Sequence, residues 1–314
     1  MGKVIVYCDG GLGNRLNCYC NGVYLARALN ADFQVWWPIN RYCSIGFADI
    51  FESCVPIFNL NKRDILELDD YSLLGLDNFA GDGINNFINP ELFFTEAGLL
   101  SAVSDALASS TYLVIFSPRI LSQLDEKIFL EYKRFSFRDE IDVAHEQEKN
   151  SLGLSGPYWG LHMRGGDARY SSHYYLFWRK IASLLPGKVF LCTDDEELLG
   201  FFGKEKNIVT RKQIVLPEKI DSSAGWDSRT PDENGQILPY NVLRTKASVI
   251  DAVVDLLILS NSRILYTSQS TFLGSAICLS RDRSRFVGGI TKYLDRTRAF
   301  LRTVRNIFQI GRHG

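Results

Sequence analysis

The sequence has no long apolar run and no excess of either charge. No stretch of about eighteen consecutive apolar residues is present, and no apolar signal-peptide core follows Met1, so we expect neither a membrane-spanning helix nor a secretion signal. The 35 lysine and arginine residues are balanced by 36 aspartate and glutamate residues, which gives no reason to expect nucleic-acid binding. With 46% apolar and 23% charged residues, the composition is typical of a soluble globular protein.

The cysteines do not have the spacing of a disulfide framework or a zinc site. There are 7 of them, an odd number, and none belongs to a C-x-x-C pair. We expect them to be reduced and mostly buried, in a cytoplasmic protein. They are Cys8, Cys18, Cys20, Cys43, Cys54, Cys192 and Cys278.

Strands and helices alternate along the chain, which predicts an α/β fold. In the first half we expect strands at 3–8, 32–37 and 111–116 and helices at 15–29 and 122–137. In the second half we expect strands at 158–163, 188–192, 207–211 and 263–266 and helices near 173–185, 195–203, 244–260 and 270–279. A polar stretch at 138–156 places a domain boundary near residue 150. The prediction is two doubly wound Rossmann-like domains, 1–150 and 151–290, that face a cleft, followed by a C-terminal segment, 291–314.

The strand at 158–163 ends in a histidine, an arginine, two glycines and an aspartate. Ligands of open α/β sheets bind beyond the carboxyl ends of the strands, which is where these residues are expected. Arg164 carries a permanent, forked charge suited to a phosphate or carboxylate, and Gly165 and Gly166 allow close approach of a ligand. The alternative is an arginine paired with Asp167 in a surface turn.

A second glycine-rich turn, Gly10 to Asn14, follows the first strand. The helix after it would point free N–H groups at a ligand. A dinucleotide fingerprint would require glycine where this chain has Leu16, so NAD binding is disfavoured. A tight turn without a ligand is the alternative.

Three further features in the second half have both functional and structural interpretations. Asp194 follows a strand and could cap the next helix in a capping box with Glu197, whereas a metal site lacks a third ligand there. The buried helix at 244–260 carries Asp251 and Asp255, which need a donor. A guanine base would supply one, and so would an internal arginine such as Arg244 or Arg263.

The hydroxyl residues Thr267, Ser268, Ser270 and Thr271 surround the start of the last predicted helix of this half. Hydroxyls and free N–H groups at a helix start suit a phosphate, although serine and threonine are also common N-caps. Capping accounts for one hydroxyl and leaves the others for a ligand.

Four motifs together resemble the GDP-fucose-dependent fucosyltransferase superfamily, which includes α-1,2, α-1,6 and protein O-fucosyltransferases. H-M-R-G-G-D at 162–167 is similar to the family motif H-x-R-x-x-D. G-G-L-G-N-R-L at 10–16 is similar to the N-terminal family motif. The other matches are T-D-D at 193–195 and V-D-L-L-I-L-S at 254–260 followed by T-S-Q-S-T-F at 267–272. The four stand in family order across about 270 residues.

The resemblance implies a GT-B fold and inverting, metal-independent transfer of L-fucose from GDP-fucose to a glycan, glycolipid or other hydroxyl acceptor. Arg164 and Asp167 are implied as catalytic residues, with Arg164 on the leaving diphosphate. The implied donor-binding residues are His162 and Asp255 at the guanine, Ser270 and Thr271 at the phosphates, Gly13 and Asn14 at the sugar, and also Gly11 and Asp194.

One departure from the family pattern affects the linkage subgroup. Many α-1,2 and α-1,6 members have a second arginine after the first, whereas this chain has Gly165. No acid at 168–175 offers itself as general base, so His173 or a dissociative mechanism stays open. A glycosyltransferase with another nucleotide sugar and a non-catalytic nucleotide-sugar or glycan binder are the alternative functions.

The stretch 292–309 reads as a basic amphipathic helix. We expect it to return to the first domain and pack there by its apolar face. The alternative is a helix that lies peripherally on an anionic membrane, near a lipid-linked acceptor.

Overall fold

The computed structural model describes most of the chain as far as residue 280. The described residues are 3–52, 70–75, 84–121, 125–165, 170–231, 235, 237–238, 240–265, 267–268 and 270–280. Met1–Leu279 form one compact unit that contains the three described sheets, and Ser280–Gly314 form another. Two predicted features, the catalytic residue Asp167 and the helix at 292–309, lie outside the described residues.

The strands, in chain order, are β1 (Lys3–Tyr7), β2 (Phe33–Trp36), β3 (Tyr71–Gly75), β4 (Ile84–Ile88), β5 (Tyr112–Phe116), β6 (Trp159–Met163), β7 (Val189–Thr193), β8 (Ile208–Val209), β9 (Thr230–Pro231), β10 (Ile237–Leu238) and β11 (Arg263–Leu265). The helices are α1 (Leu12–Ala28), α2 (Glu96–Ser109), α3 (Asp125–Tyr132), α4 (Asp139–Ser151), α5 (Ser172–Leu184), α6 (Glu196–Phe202), α7 (Lys246–Ser260) and α8 (Thr271–Leu279).

The first half is built on a parallel five-stranded sheet in the order β2-β1-β5-β3-β4. β1 lies inside the sheet, and its residues from Val4 to Tyr7 are all buried. On one face Tyr7 stacks on Trp36 with ring centroids 4.2 Å apart. The apolar strand sequence is therefore explained by burial on both faces, as parallel sheets require.

The second half is built on a parallel four-stranded sheet in the order β11-β6-β7-β8. β6 and β7 are central, and His162 pairs in register with Cys192 while Met163 pairs with Thr193. Helix α7 packs on this sheet and is buried along most of its length. The predicted α/β fold with parallel sheets is confirmed, and every strand and helix expected in the second half is present.

Helices α1 and α8 bring the two halves together. Gly13 in α1 lies against the start of α8, and a Cβ atom at Gly13 would come within 2.5 Å of the Phe272 nitrogen. A buried hydroxyl cluster follows: Ser275 lies 2.9 Å from the Tyr132 hydroxyl and contacts the Gly13 carbonyl. Because these groups are buried, the contact between α1 and α8 is both tight and specific.

Two predicted helix boundaries in the first half are wrong. Helix α1 begins at Leu12 and not at residue 15, because Gly13 is needed inside the helix where α8 approaches. Helix α3 ends at Tyr132, five residues before the predicted end. The polar stretch at 138–156 contains α4, whose first turn carries Asp139, Glu140 and Asp142, and α4 packs on α7. Acidic residues in a first turn suit the helix dipole, so this polar composition belongs to a helix.

The described cysteines are all free and buried, as predicted: Cys8, Cys18, Cys20, Cys43, Cys192 and Cys278. Burial raises the pKa of the thiols of Cys8, Cys18, Cys20, Cys43 and Cys192. None of the described helices is both long enough and apolar enough to cross a membrane.

Candidate active site

The turn after β6 is held by the turn after β7. Arg164 is half-buried, and its carbonyl accepts a hydrogen bond from the Tyr175 hydroxyl at 2.8 Å. The Gly165 N–H donates to Asp194 Oδ1 at 3.0 Å. The structure therefore places two predicted site residues, Arg164 and Asp194, on neighbouring strand ends at one edge of the sheet.

His162 is buried at this edge and keeps an unused ring nitrogen. Its side chain is 7% exposed and stacks on Phe272 with ring centroids 5.2 Å apart. Its Nδ1 has no hydrogen-bond partner within the described part of the chain. Burial, and then the charge of Arg164, lower the pKa of His162 to about 3, so the imidazole is neutral at pH 7. A buried nitrogen of this kind is available to a ligand.

Thr193 contributes a second buried polar atom without a partner. It ends β7, and its Oγ1 has no hydrogen bond to any residue that the structure describes. Side chains alternate along a strand, so Thr193 and His162 reach the same edge from opposite faces of the sheet. Unsatisfied buried atoms are uncommon, and two on adjacent strand ends make this edge a candidate binding site.

The cap of helix α6 is Asp195, so the prediction that Asp194 caps it is wrong. Asp195 Oδ1 accepts hydrogen bonds from the N–H groups of Glu197 and Leu198, at 2.9 and 3.2 Å. The side chain of Asp195 also fills the space beside Gly165, where any Cβ atom would overlap it. In this geometry the position after Arg164 therefore has no room for a second arginine.

A second guanidinium nevertheless lies nearby. Arg244 Nη2 is 4.0 Å from Asp194 Oδ2, whereas the Gly165 N–H bonds the other oxygen, Oδ1. The backbone of Arg244 is fixed by the first half, because its N–H donates to the Arg41 carbonyl and its carbonyl accepts from the Ser44 N–H.

The hydroxyls around the start of α8 are largely used by the protein itself. Thr267 Oγ1 donates to the His162 carbonyl at 2.5 Å, Ser268 Oγ accepts from the Ser270 N–H, and Ser270 Oγ accepts from the Phe272 N–H at 3.2 Å. Bonds within the protein therefore use three of these hydroxyls, and Ser270 is the one that caps α8. Thr271 is half-buried, and its hydroxyl makes no hydrogen bond with the described residues.

Asp251 and Asp255 share one arginine, which is neither of the two predicted. Arg211 Nη2 lies 2.5 Å from Asp251 Oδ1, and Arg211 Nη1 lies 3.3 Å from Asp255 Oδ1. Burial raises the pKa of Asp255 to about 7, although Arg211 opposes the shift. Asp255 also hydrogen-bonds the thiol of Cys192, the register partner of His162. Asp255 thus lies on the same side of the sheet as His162.

The glycine turn of the first half is closed by Arg15, which is completely buried. Its guanidinium donates to the carbonyls of Gly10 and Pro38, each at 2.7 Å, and to Asn40 Oδ1 at 3.0 Å. Burial alone would raise the pKa of Asp9, but Arg15 and three hydrogen-bond donors, Tyr7, Gly10 and Asn40, hold it below its usual value. From the sequence, Arg15 is expected only as the first residue of a helix and as one position of the motif at 10–16, with no role of its own.

The other predicted residues of this turn differ in accessibility. Gly13 is buried against α8, and Gly11 has open space where a side chain would be. Asn14 is half-buried, and its carboxamide has no hydrogen bond among the described residues. His173, the open possibility for a general base, is exposed at the start of α5. Asn14 is therefore the residue of the first turn whose side chain is available to a ligand.

The edge described here combines a permanent cation, a neutral buried histidine and the start of a helix. Helix N-termini and guanidinium groups both favour anions. In the described residues no cluster of histidine, cysteine, aspartate and glutamate could hold a metal ion. The arrangement is suited to an anionic ligand with an additional polar ring or amide.

No protein-family model and no curated protein sequence matches the chain. Solved structures share its fold. NodZ α-1,6-fucosyltransferase co-crystallized with GDP superposes with a TM-score of 0.56 at 17% identity, over 88% of this chain and 91% of that one. Fucosyltransferase NodZ from Bradyrhizobium gives 0.56 at 18% identity, again over 88% and 91%. A mutant of Arabidopsis thaliana FUT1 in complex with GDP gives 0.52 at 13% identity, over 89% and 68%. At these identities the likeness is one of fold.

Proposed function

We propose that the protein is a fucosyltransferase that moves L-fucose from GDP-fucose to a hydroxyl acceptor, with inversion and without a metal, on a GT-B fold. The observation that carries the proposal is the buried, neutral imidazole of His162 beside Arg164 at the carboxyl edge of β6, whose Nδ1 has no hydrogen-bond partner among the described residues. Three of the four family motifs meet at this edge. The solved fucosyltransferases of the same fold, two of them bound to GDP, support the choice of nucleotide.

The proposed roles follow the chemistry of each group. Arg164 neutralises the leaving diphosphate, the charge that grows in the transition state. His162 contacts the guanine or its ribose through Nδ1, and Thr271 donates its hydroxyl to a phosphate. Asp255 is held by Arg211 and accepts from the guanine edge with its remaining lone pairs.

The remaining donor-site roles concern turns and backbone. Asn14 faces the sugar, and Gly13 lets α8 come close enough to bring Asn14 to it. Gly11 keeps the rim of the turn open. Asp194 fixes the Arg164 turn through the Gly165 N–H, and Ser270 caps α8. Asp167 completes the motif as a catalytic residue.

We further propose that residues 1–150 form the acceptor side and that 151–290 bind the donor. The acceptor is a glycan or glycolipid. A cytoplasmic location is supported by the free, buried cysteines of the described chain.

Two measurements test this function against its rivals. Thermal melting with GDP, UDP, ADP and CMP should show a rise with GDP alone, because only the donor nucleotide stabilises the folded state by mass action. A rise with another nucleotide would indicate another nucleotide sugar as donor. Release of GDP from GDP-fucose separates an enzyme from a non-catalytic binder. The same rate of release with and without a metal chelator is expected for metal-independent transfer.

A further inference from the structure

Two consecutive tyrosines at the start of α5 contact the two loops that carry the donor site. The Tyr175 hydroxyl donates to the Arg164 carbonyl at 2.8 Å and accepts from the Tyr170 N–H at 2.9 Å. The Tyr174 hydroxyl donates to the carbonyl of Thr267. Neither tyrosine belongs to the four motifs, and neither was predicted to have a role.

The bonds made by Tyr175 are placed where the sheet stops providing them. β6 ends at Met163, so the carbonyl of Arg164 lies just past the strand. A buried carbonyl that lost its donor would carry the full desolvation cost. Tyr175 is 8% exposed, and its single hydroxyl joins Arg164 to Tyr170. The position of Arg164 is therefore set by α5 as well as by β6.

The bond made by Tyr174 fixes the other loop to the same helical turn. Thr267 is held twice, by Tyr174 at its carbonyl and by the His162 carbonyl at its own hydroxyl. Tyr174 also stacks on Tyr170 with ring centroids 4.5 Å apart. Ser171 caps α5 at the Tyr174 N–H, so the turn that carries both phenols begins at a defined residue.

We propose that Tyr174 and Tyr175 are positioning residues that hold Arg164 and the start of α8 at a fixed separation around one diphosphate. The proposal rests on the proposed function, in which Arg164 and Thr271 act on the same donor. Catalytic groups must be held within a fraction of an ångström of their working geometry, and misplacement by about 1 Å can lower a rate about a hundredfold. Removal of one phenolic oxygen would release Arg164 from α5 without removal of any group that touches the ligand.

The chain offers a matched control for a phenol that is merely structural. The Tyr158 hydroxyl donates to the Ile258 carbonyl at 2.6 Å and is also buried. Tyr158 precedes β6, at the end of the strand opposite to Arg164. Each of the variants Tyr158→Phe and Tyr175→Phe therefore removes one hydrogen bond from a buried phenol to a backbone carbonyl in the same half of the protein. The bond of Tyr158 lies far from the site, and the bond of Tyr175 lies beside it.

The kinetic test compares the two variants with the full-length protein, with release of GDP from GDP-fucose as the readout. We expect Tyr175→Phe to lower kcat/KM by about tenfold or more and Tyr158→Phe to change it by less than about twofold, at similar losses of melting temperature. The same loss of kcat/KM in both variants, or no loss in Tyr175→Phe, would overturn the proposal.

A second readout does not depend on the proposed function. The Tyr170 amide donates to the Tyr175 hydroxyl, so its hydrogen exchange, resolved to that residue, should accelerate about tenfold or more in Tyr175→Phe and stay unchanged in Tyr158→Phe. Unchanged exchange in Tyr175→Phe would contradict the positioning role directly. The two proposals can also fail separately. If the wild-type protein neither binds nor cleaves GDP-fucose, but exchange of the Tyr170 amide accelerates in Tyr175→Phe, the fucosyltransferase proposal is overturned. The link between Tyr175 and the Arg164 turn is then retained.

Discussion

Two glycine-containing turns follow interior strands of the two sheets, and they use their polar groups differently. In the turn after β1, Arg15, Asp9 and Asn40 bond one another and the backbone. In the turn after β6, a buried nitrogen of His162 has no partner among the described residues, and neither does Thr193 Oγ1 on the next strand. The first turn satisfies its charged groups within the protein and leaves the Asn14 carboxamide, whereas the second leaves His162 Nδ1 and Thr193 Oγ1 for a ligand.

Glycine spacing alone therefore does not identify a ligand-binding turn. Both turns carry glycines, but the space at Gly13 is taken by the backbone of α8 and the space at Gly165 by the side chain of Asp195. We infer that the first turn mainly fixes α1 against α8 and presents Asn14, while the second binds the anionic part of the donor. Three measurements of the free energy of unfolding separate these roles.

Arg15→Met should give the largest loss of stability. The substitution leaves Asp9 without its cation and the carbonyls of Gly10 and Pro38 without donors, and breaking a buried charged network costs about 3 to 5 kcal/mol. Urea unfolding followed by circular dichroism would measure it. Arg263→Met, at an exposed arginine over Trp159, is the control and should cost less than about 1 kcal/mol. Equal losses would show that Arg15 does not hold the first turn.

Gly13→Ala should destabilise the protein by about 1 to 3 kcal/mol, the usual range for an overpacked contact. The loss is expected even though alanine is the better helix former by about 1 kcal/mol. Gly11→Ala is the matched control, since it has ordinary backbone angles and open space, and as a helix cap it should cost no more than about 1 kcal/mol. A Gly13→Ala protein as stable as Gly11→Ala would mean that α1 and α8 are not in tight contact.

The His162 imidazole should make stability fall with acidification. Its pKa is about 3 when folded and about 6.5 when unfolded, so below pH 6.5 the unfolded chain takes up the proton first. The stability present above pH 6.5 is therefore lost progressively as the pH falls towards 3, by about 2 kcal/mol at pH 5. The free energy of unfolding should fall between pH 7 and pH 5 in the wild type, and this fall should be about 2 kcal/mol larger than in His162→Gln. The same pH dependence in both proteins would place the imidazole in water.

Local patterns explain why the second half was predictable and much of the first was not. In the second half each strand and helix has its own periodicity and a polar boundary, as for β7 and α6. Helix α2 was missed although Thr95 caps it at the Gly98 N–H and Leu99, Val103, Ala106 and Leu107 recur at helical spacing. Those signals were available in the sequence.

Long-range partners could not be read in this way. Nothing local distinguishes Arg211 from Arg244 or Arg263 as the partner of Asp251 and Asp255, because that choice depends on how the segment after β8 folds back onto α7. The same holds for Arg15, whose acceptors include Pro38 and Asn40 in a later loop. The sequence predicted which residue types the site contains, and tertiary contacts decide which of them are left for a ligand.

Titration calorimetry with GDP measures whether the turn after β6 binds the diphosphate. Arg164→Ala should bind GDP about tenfold or more weakly than the wild type at an unchanged melting temperature, because a charge-assisted contact to phosphate is lost from an intact fold. Arg263→Ala, at the far end of the same sheet, should bind GDP like the wild type. If Arg164→Ala and the wild type bind GDP with equal affinity, Arg164 does not bind the diphosphate and the proposed donor site is wrong.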